Sequence, residues 1–134
     1  MVLRLRVRIC RGGKCVEGVG IANSGFAGDE PEITLPRALA RELLGEGLSL
    51  TLVERVLADG SRVTLARTTE RLDVYLVAED EVRGPVKARA YIVGGQLILL
   101  NDCLLSALRV VIIDPRDGIW CFREELGKRE RQGM

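Results

Sequence analysis

Hydrophobic and polar side chains alternate along residues 2–10. The apolar set is Leu3, Leu5, Val7 and Ile9, and the set between them is Arg4, Arg6 and Arg8. Strict alternation of this kind is typical of a β-strand with one buried and one solvated face. The patterning after this strand predicts further strands over 16–22, 49–57, 62–68, 72–78, 86–93, 97–100, 110–113 and 120–122. The pattern therefore indicates a mostly β domain.

A glycine pair predicts a tight hairpin after the first strand. Gly12-Gly13 is a dipeptide typical of two-residue hairpin loops, and it lies midway between Cys10 and Cys15. With that loop the two cysteines face each other across the hairpin, where the geometry allows a disulfide. Two reduced thiols are expected in an ordinary cytosol, whereas in the interior of a hyperthermophile the disulfide is equally plausible.

Two segments interrupt the strand pattern. In 36–45 three leucines share one helical face, Pro36 fits the first turn and Gly45 is a natural end. Residues 101–108 have the length of one or two helical turns. The expected fold is therefore mostly β with two short helices, in a single domain over 1–122. A charged tail, 123–134, is expected to be frayed or loosely helical.

Composition and charge restrict the class of protein. Of 134 residues, 47% are hydrophobic and 29% charged, so one domain with its own core is expected. Aromatic residues make up 4% and the net charge is +1, which argues against single-stranded nucleic acid and against phosphate or membrane surfaces as partners. No apolar run approaches the roughly 20 residues of a membrane helix. We expect a soluble, cytoplasmic protein without a membrane partner.

The sequence contains no histidine, which excludes several kinds of catalytic site. Ser-His and Cys-His nucleophile pairs and most catalytic zinc sites need this residue, and the four cysteines form no Cys-x-x-Cys pair. We therefore expect neither a metal nor another cofactor. Arginine carries most of the positive charge, while asparagine and glutamine are scarce, a bias compatible with a thermophile.

The segment after the second strand carries the most specific motif. It runs Gly20-Ile21-Ala22-Asn23-Ser24-Gly25-Phe26-Ala27-Gly28, an apolar strand that enters a loop of small residues. It resembles the signature loop of the retropepsin-like aspartic proteases, in which two hydrophobic residues precede Asp, Ser or Thr, and Gly. In that family the aspartates of two subunits meet at a twofold axis and activate a water. The resemblance assigns the catalytic positions to Asn23, Ser24 and Gly25, and a substrate groove to Phe26, Ala27, Gly28 and Asp29.

The end of the domain extends this resemblance. Retropepsins close with an apolar strand, a glycine turn, a helix led by two leucines and a final strand, and residues 97–114 are similar to this element. Its closing positions are Asn101, Asp102, Leu104 and Leu105. The family commonly has glycine where this chain has Asn101. It often has an arginine where this chain has Asp102, and that arginine pairs with an acid just after the catalytic triplet. Asp102 would instead repel Asp29. The resemblance implies a closed β-barrel in a homodimeric acid-protease architecture.

Asn23 decides which chemistry this site can perform. In an aspartic protease two carboxylates share one proton, and one accepts a proton from water while the other donates to the substrate carbonyl. An amide cannot act as that base, so the chain as written is expected to be inactive. Three interpretations stay open. They are a natural pseudo-protease that binds an extended peptide or protein partner, an active endopeptidase whose native aspartate has been replaced by engineering or is restored by deamidation, and an accidental match to a barrel turn.

Other charged groups are weaker candidates. The acids at 29–32 are interpreted as a solvated turn in preference to a site for a cation or a substrate amine. Residues 79–81 are interpreted as an exposed turn in preference to a flap over a groove. The stripe of Arg4, Arg6 and Arg8 offers a ridge for phosphate, so a nucleic-acid or regulatory binding barrel is the third class of function.

Overall fold

A computed structural model describes residues 2–45 and 49–134. Its elements in chain order are β1 (Arg4–Arg11), β2 (Lys14–Ala22), β3 (Glu32–Pro36), α1 (Arg37–Leu44), β4 (Leu50–Val56), β5 (Arg62–Thr68), β6 (Leu72–Val77), β7 (Val82–Val93), β8 (Ile98–Leu100), α2 (Asp102–Ala107), β9 (Val110–Asp114), β10 (Ile119–Phe122) and β11 (Arg131–Gln132). A 3₁₀ turn, Arg123–Glu125, follows β10. The predicted mostly β fold with two short α-helices is confirmed. No helix in the described ranges has the length and apolar character needed to cross a membrane.

Six strands close into a barrel around the core. Their hydrogen-bonded order is β3-β8-β2-β1-β6-β7, and β7 pairs with β3 to complete the ring. The alternation in β1 places its apolar side chains inside and its arginines outside. The interior includes Leu3, Leu5, Val7, Ile9, Ile33, Leu35, Leu100, and Leu104 and Leu105 of α2. Closure of the ring satisfies strand edges that an open sheet of this size would leave exposed.

Two parallel strands bring distant parts of the chain together. β2 pairs with β8 in the register Gly20↔Ile98 to Ala22↔Leu100. A Cβ on Gly20 would lie 3.3 Å from Leu100, so glycine permits this close approach. Because parallel strands end at the same edge of a sheet, the loop after β2 and helix α2 after β8 are neighbours.

A hairpin of β4 and β5 extends from the barrel. β5 pairs with the end of β7, and β4 pairs with β5 from Leu50↔Thr68 to Val56↔Arg62. In the described part of the chain, β4 is therefore a free edge of the eight-stranded sheet. Leu52 is 73% exposed and Val56 is 66% exposed on this strand, and Glu54 lies between them on the same face.

Two elements differ from the expectations of the sequence pattern. The segment before Pro36 carries no predicted strand, yet Glu32–Pro36 forms β3 and is buried along its whole length. A strand buried on both faces shows no alternation, which explains why the pattern missed it. β7 also begins earlier than predicted, at Val82, so the acidic turn at 79–81 connects β6 to β7.

The charged tail packs against the domain, where the charge pattern predicts fraying. β11 pairs with β10, and Arg131 is only 8% exposed. Its guanidinium bonds both oxygens of Glu125 at 2.8 Å and an oxygen of Asp80 at 2.7 Å. It also lies 4.9 Å from the ring centroid of Phe122. These contacts of Arg131 fasten the tail to the domain.

Candidate functional site

The Asn23 loop begins where β2 ends, and backbone hydrogen bonds fix its course. Asn23 N donates to Leu100 O at 3.0 Å, and Phe26 N donates to Asn23 O at 3.0 Å across a turn of two exposed residues, Ser24 and Gly25. Asp102 N then donates to Phe26 O at 3.2 Å. The loop is therefore tied to the end of β8 and the start of α2.

Asn101 fastens the far end of this loop from a fully buried position. Its Oδ1 accepts hydrogen bonds from Glu32 N and Leu104 N, both at 2.9 Å, and its Nδ2 donates to Glu30 O at 2.9 Å. The bond from Leu104 N also caps α2. One amide thus joins the loop, β3 and α2, a function that the glycine common in the resembled family could not perform.

Asp102 contacts the loop backbone, and Asp29 is exposed. Asp102 Oδ1 accepts a hydrogen bond from Gly28 N at 3.1 Å. The neighbouring Cys103 Sγ donates to Gly28 O at 3.0 Å. Partial burial and the charge of Asp102 raise the pKa of the Cys103 thiol, which favours this protonated donor. Asp102 therefore anchors the loop by a charge-assisted hydrogen bond instead of the ion pair typical of the family.

A cavity of about 710 Å³ lies between the Asn23 loop and the β4–β5 hairpin. Its lining comprises Asn23, Gly25, Phe26, Ala27, Thr34, residues 54–58, Val63, Leu65, Tyr91 and Leu99. Most of these side chains are apolar. The carboxylate among them, Glu54, pairs with Arg62 at 2.9 Å. The size and the apolar lining with a few polar groups are typical of a ligand site.

The residues assigned to the site by the resemblance divide between this cavity and its surroundings. Asn23, Gly25, Phe26 and Ala27 line it. The exposed residues Ser24 and Asp29 lie outside the described lining. Gly28 faces the interior, where an added Cβ would come within 2.7 Å of Glu32 Oε1. The hairpin that lies over the Asn23 loop consists of β4 and β5, whereas the acidic turn at 79–81 belongs to the β6–β7 connection.

A buried carboxylate lies behind the cavity wall. Glu32 is 1% exposed, and its Oε2 accepts hydrogen bonds from Arg67 Nη1 at 2.8 Å and from the Tyr91 hydroxyl at 2.9 Å. Burial and the contact with Glu32 raise the pKa of Tyr91, so the phenol stays a donor. The interpretation of Glu32 as part of a solvated turn is therefore wrong, because its charge is compensated inside the protein.

Arg55 connects the hairpin to the Asn23 loop. Its Nη2 donates to Ala27 O at 2.6 Å and lies 3.6 Å from Glu32 Oε1. The guanidinium carbon is 5.8 Å from the ring centroid of Phe26 and 5.6 Å from that of Tyr91, within range of cation–π attraction. Sequence analysis missed Arg55 and Tyr91 and interpreted Glu32 as solvated, because the three residues lie on three different strands and no local motif connects them.

The remaining candidates lie elsewhere on the molecule. Cys10 and Cys15 are opposite each other in the β1–β2 hairpin and form a disulfide. Arg8 forms an ion pair on the outer face, and Arg4 and Arg6 line a second cavity of about 550 Å³ beside the C-terminal segment. Within 2–45 and 49–134, no group of three or more His, Cys, Asp or Glu could hold a metal ion.

Comparison with known proteins assigns no family to the chain. No protein-family model matches it, and no curated protein matches its sequence. The function is therefore inferred from the motif and from the residues around the cavity.

Proposed function

We propose that this chain is a retropepsin-like pseudo-protease, a homodimer that binds an extended peptide or protein segment without hydrolysing it. The observation that carries the proposal is the position of Asn23. The central residue of the motif lines a cavity between its own loop and a hairpin, as a residue of a substrate groove does. Its side chain, however, is an amide.

The groups around the cavity support binding over catalysis. Acid–base hydrolysis needs a carboxylate that can take a proton from water, and such a group contributes about 10²–10⁴-fold to a rate. Glu54 is engaged by Arg62. Glu32 is buried and engaged by Arg67 and Tyr91. Glu32 is therefore not available to an attacking water in the cavity, and Glu54 is a single carboxylate, whereas an aspartic protease uses two that share a proton.

The homodimer follows from the resemblance, in which a chain of this size supplies half of the cleft. A second copy would bring two Asn23 loops together at the twofold axis. The free edge of β4 and its exposed apolar side chains Leu52 and Val56 support a partner on this side, since such edges are usually covered.

Cleavage of an unfolded protein substrate from acid to neutral pH tests this function. We expect no cleavage by the wild-type chain, together with binding of a transition-state-mimic inhibitor of aspartic proteases. The Asn23→Asp variant should cleave and be inhibited by the same compound, while the matched Asn23→Ala variant should not cleave. The Asn23→Asp arm also tests the alternative of an endopeptidase with a native aspartate.

The outcomes separate the hypotheses. Cleavage by the wild-type chain that the inhibitor blocks would overturn the pseudo-protease proposal in favour of an enzyme. Failure of the wild-type chain and of both folded variants to bind the inhibitor would overturn the retropepsin-like cleft itself.

A further inference from the structure

Arg55 gives the cavity a positive charge without a full counter-charge. Arg55 and Arg67 share one carboxylate, Glu32, at 3.6 Å and 2.8 Å respectively, so Glu32 mainly compensates Arg67. The other charged group of the lining, Glu54, is neutralised by Arg62. The cavity and the groups in contact with it therefore retain one net positive charge, and Arg55 carries it.

The Arg55 guanidinium is held in place and accessible. Its side chain is 30% exposed, and Phe26 and Tyr91 flank it. In the described structure it donates one hydrogen bond, to Ala27 O, out of the five N–H groups that a guanidinium carries. The remaining N–H groups can meet a carboxylate, the anion that this planar donor fits best.

Asn23 lines the same cavity and favours the same kind of ligand. An aspartate at this position would add a negative charge that repels a carboxylate. The Asn23 amide adds none and offers an N–H donor instead. The residue that removes the catalytic base therefore also makes the cavity more receptive to an anionic group.

We infer that the cavity selects extended peptides with a glutamate or aspartate flanked by apolar residues, with Arg55 as the partner of that side-chain carboxylate. The inference deepens the proposed function and rests on it. The flanking preference follows from the apolar remainder of the lining, including Val56, Leu65 and Leu99. Arg55 is thus a specificity-determining residue, not only a tether between hairpin and loop.

Fluorescence anisotropy with matched peptides tests the inference. The probes are labelled octapeptides, acetylated and amidated at their ends, with Val and Leu around one central Glu or one central Gln. We expect the Glu peptide to bind the wild-type chain about tenfold more tightly, as is typical for a hydrogen bond to a charged group. Raising the salt from 50 to 500 mM should weaken the Glu peptide more than the Gln peptide.

Two variants separate specificity from the tethering contact. Arg55→Gln should bind both peptides equally. Arg37→Gln removes the same charge at an exposed position of α1 outside the cavity lining, and it should retain the preference. The comparison of Glu with Gln peptides on the wild-type chain needs no variant, so it stands even where Arg55→Gln fails to fold.

The outcomes distinguish this inference from the proposed function. Equal binding of the two peptides to the wild-type chain would overturn the acidic preference and leave peptide binding intact. A preference for Glu that persists in a folded Arg55→Gln variant would overturn the assignment to Arg55. A third probe is the Gln peptide with a free C-terminus, and its tighter binding than the capped Glu peptide would identify a terminal carboxylate as the ligand, contrary to the inference. Binding of neither peptide would overturn the inference and the proposed function together.

Discussion

Glu32 and Asn23 lie near one another in sequence but have opposite surroundings. Glu32 is buried against Arg67 and Tyr91, whereas Asn23 is half-buried and lines the cavity. The carboxylate of this region is thus used inside the protein, and an amide faces the cavity. Removing the partner of a buried charge is strongly destabilising. Substitution of Glu32 therefore tests its structural role.

Glu32→Gln is expected to destabilise the protein by about 3 kcal/mol, because it leaves Arg67 without its counter-ion. The replacement keeps the shape of the side chain and one acceptor oxygen, so the loss reports charge and not packing. Urea unfolding at neutral pH measures the change. Glu17→Gln breaks the exposed pair with Arg8 and serves as the matched control, with an expected loss below about 0.5 kcal/mol. Equal losses for the two variants would contradict the structural role of Glu32.

Sequence analysis identified some residues of the cavity and missed others for a physical reason. Asn23 and Phe26 lie in one continuous loop with a recognisable motif, so a local pattern was sufficient. Arg55 and Tyr91 reach the cavity only because β4 lies over the loop and β7 pairs with β3. Such a meeting depends on sheet topology, which alternation of side chains along one strand does not encode.

At the scale of elements, Asn101 links α2 to the start of β3. We expect Asn101→Ala to cost about 3 kcal/mol, because it removes the three hydrogen bonds of a fully buried side chain and leaves Glu32 N and Leu104 N without that acceptor. Urea unfolding measures the loss, and the amide of Glu32 should exchange its hydrogen faster. Ser106→Ala, on the exposed face of the same helix, should change stability by less than about 0.5 kcal/mol. Unchanged exchange at Glu32 would argue against the clamp.

The elements differ in how far their sequences predict them. β1 has one buried and one solvated face, so strict alternation defines it. Its partner β2 and the hairpin β4–β5 are also marked by glycine turns. β3 is buried on all sides and contains Glu32 and Pro36, and its burial depends on the Arg67 partner and on the barrel around it. β11 was missed because Arg131 is buried and its charge is compensated by ion pairs. In a sequence, a run of charged residues normally indicates a solvated segment.

The contact between the tail and the barrel predicts a dependence of stability on pH. The paired hydrogen bonds from Arg131 lower the pKa of Glu125 to about 2. The unfolded chain takes up this proton at a higher pH, so the stabilisation is complete above about pH 5 and is lost as the pH falls toward 2. Glu125→Gln should therefore make the fall in unfolding free energy between pH 5 and pH 2 less steep. Urea unfolding at several pH values measures it.

A matched acid shows whether this slope belongs to the tail contact. Glu42 is exposed on α1, away from the tail, and Glu42→Gln should leave the slope of the wild-type chain unchanged. If Glu125→Gln and Glu42→Gln give the same slope, the ion pair with Arg131 does not stabilise the folded state in solution.

At the scale of the whole molecule, six strands form a closed barrel, whereas the β4–β5 hairpin extends the sheet beyond that ring. The ring of six strands satisfies its own edges, while within residues 2–45 and 49–134 β4 has an unpaired edge, and the side chains of Leu52 and Val56 are exposed on it. The cavity lies under this hairpin, so a partner that covers β4 would also enclose the cavity. Ligand binding and association of two chains are then expected to reinforce one another.

Sedimentation equilibrium tests this coupling. The proposed homodimer predicts a mass of twice the 14.7 kDa chain at high concentration, and saturating Glu peptide should shift the monomer–dimer equilibrium toward the dimer, because a peptide shared by two subunits binds the dimer more tightly than the monomer. At the same peptide concentration the capped Gln peptide occupies fewer sites because it binds more weakly, and should shift the equilibrium less. A chain that stays monomeric at every concentration, with and without peptide, would contradict the acid-protease architecture, because in that architecture one chain supplies only half of the cleft.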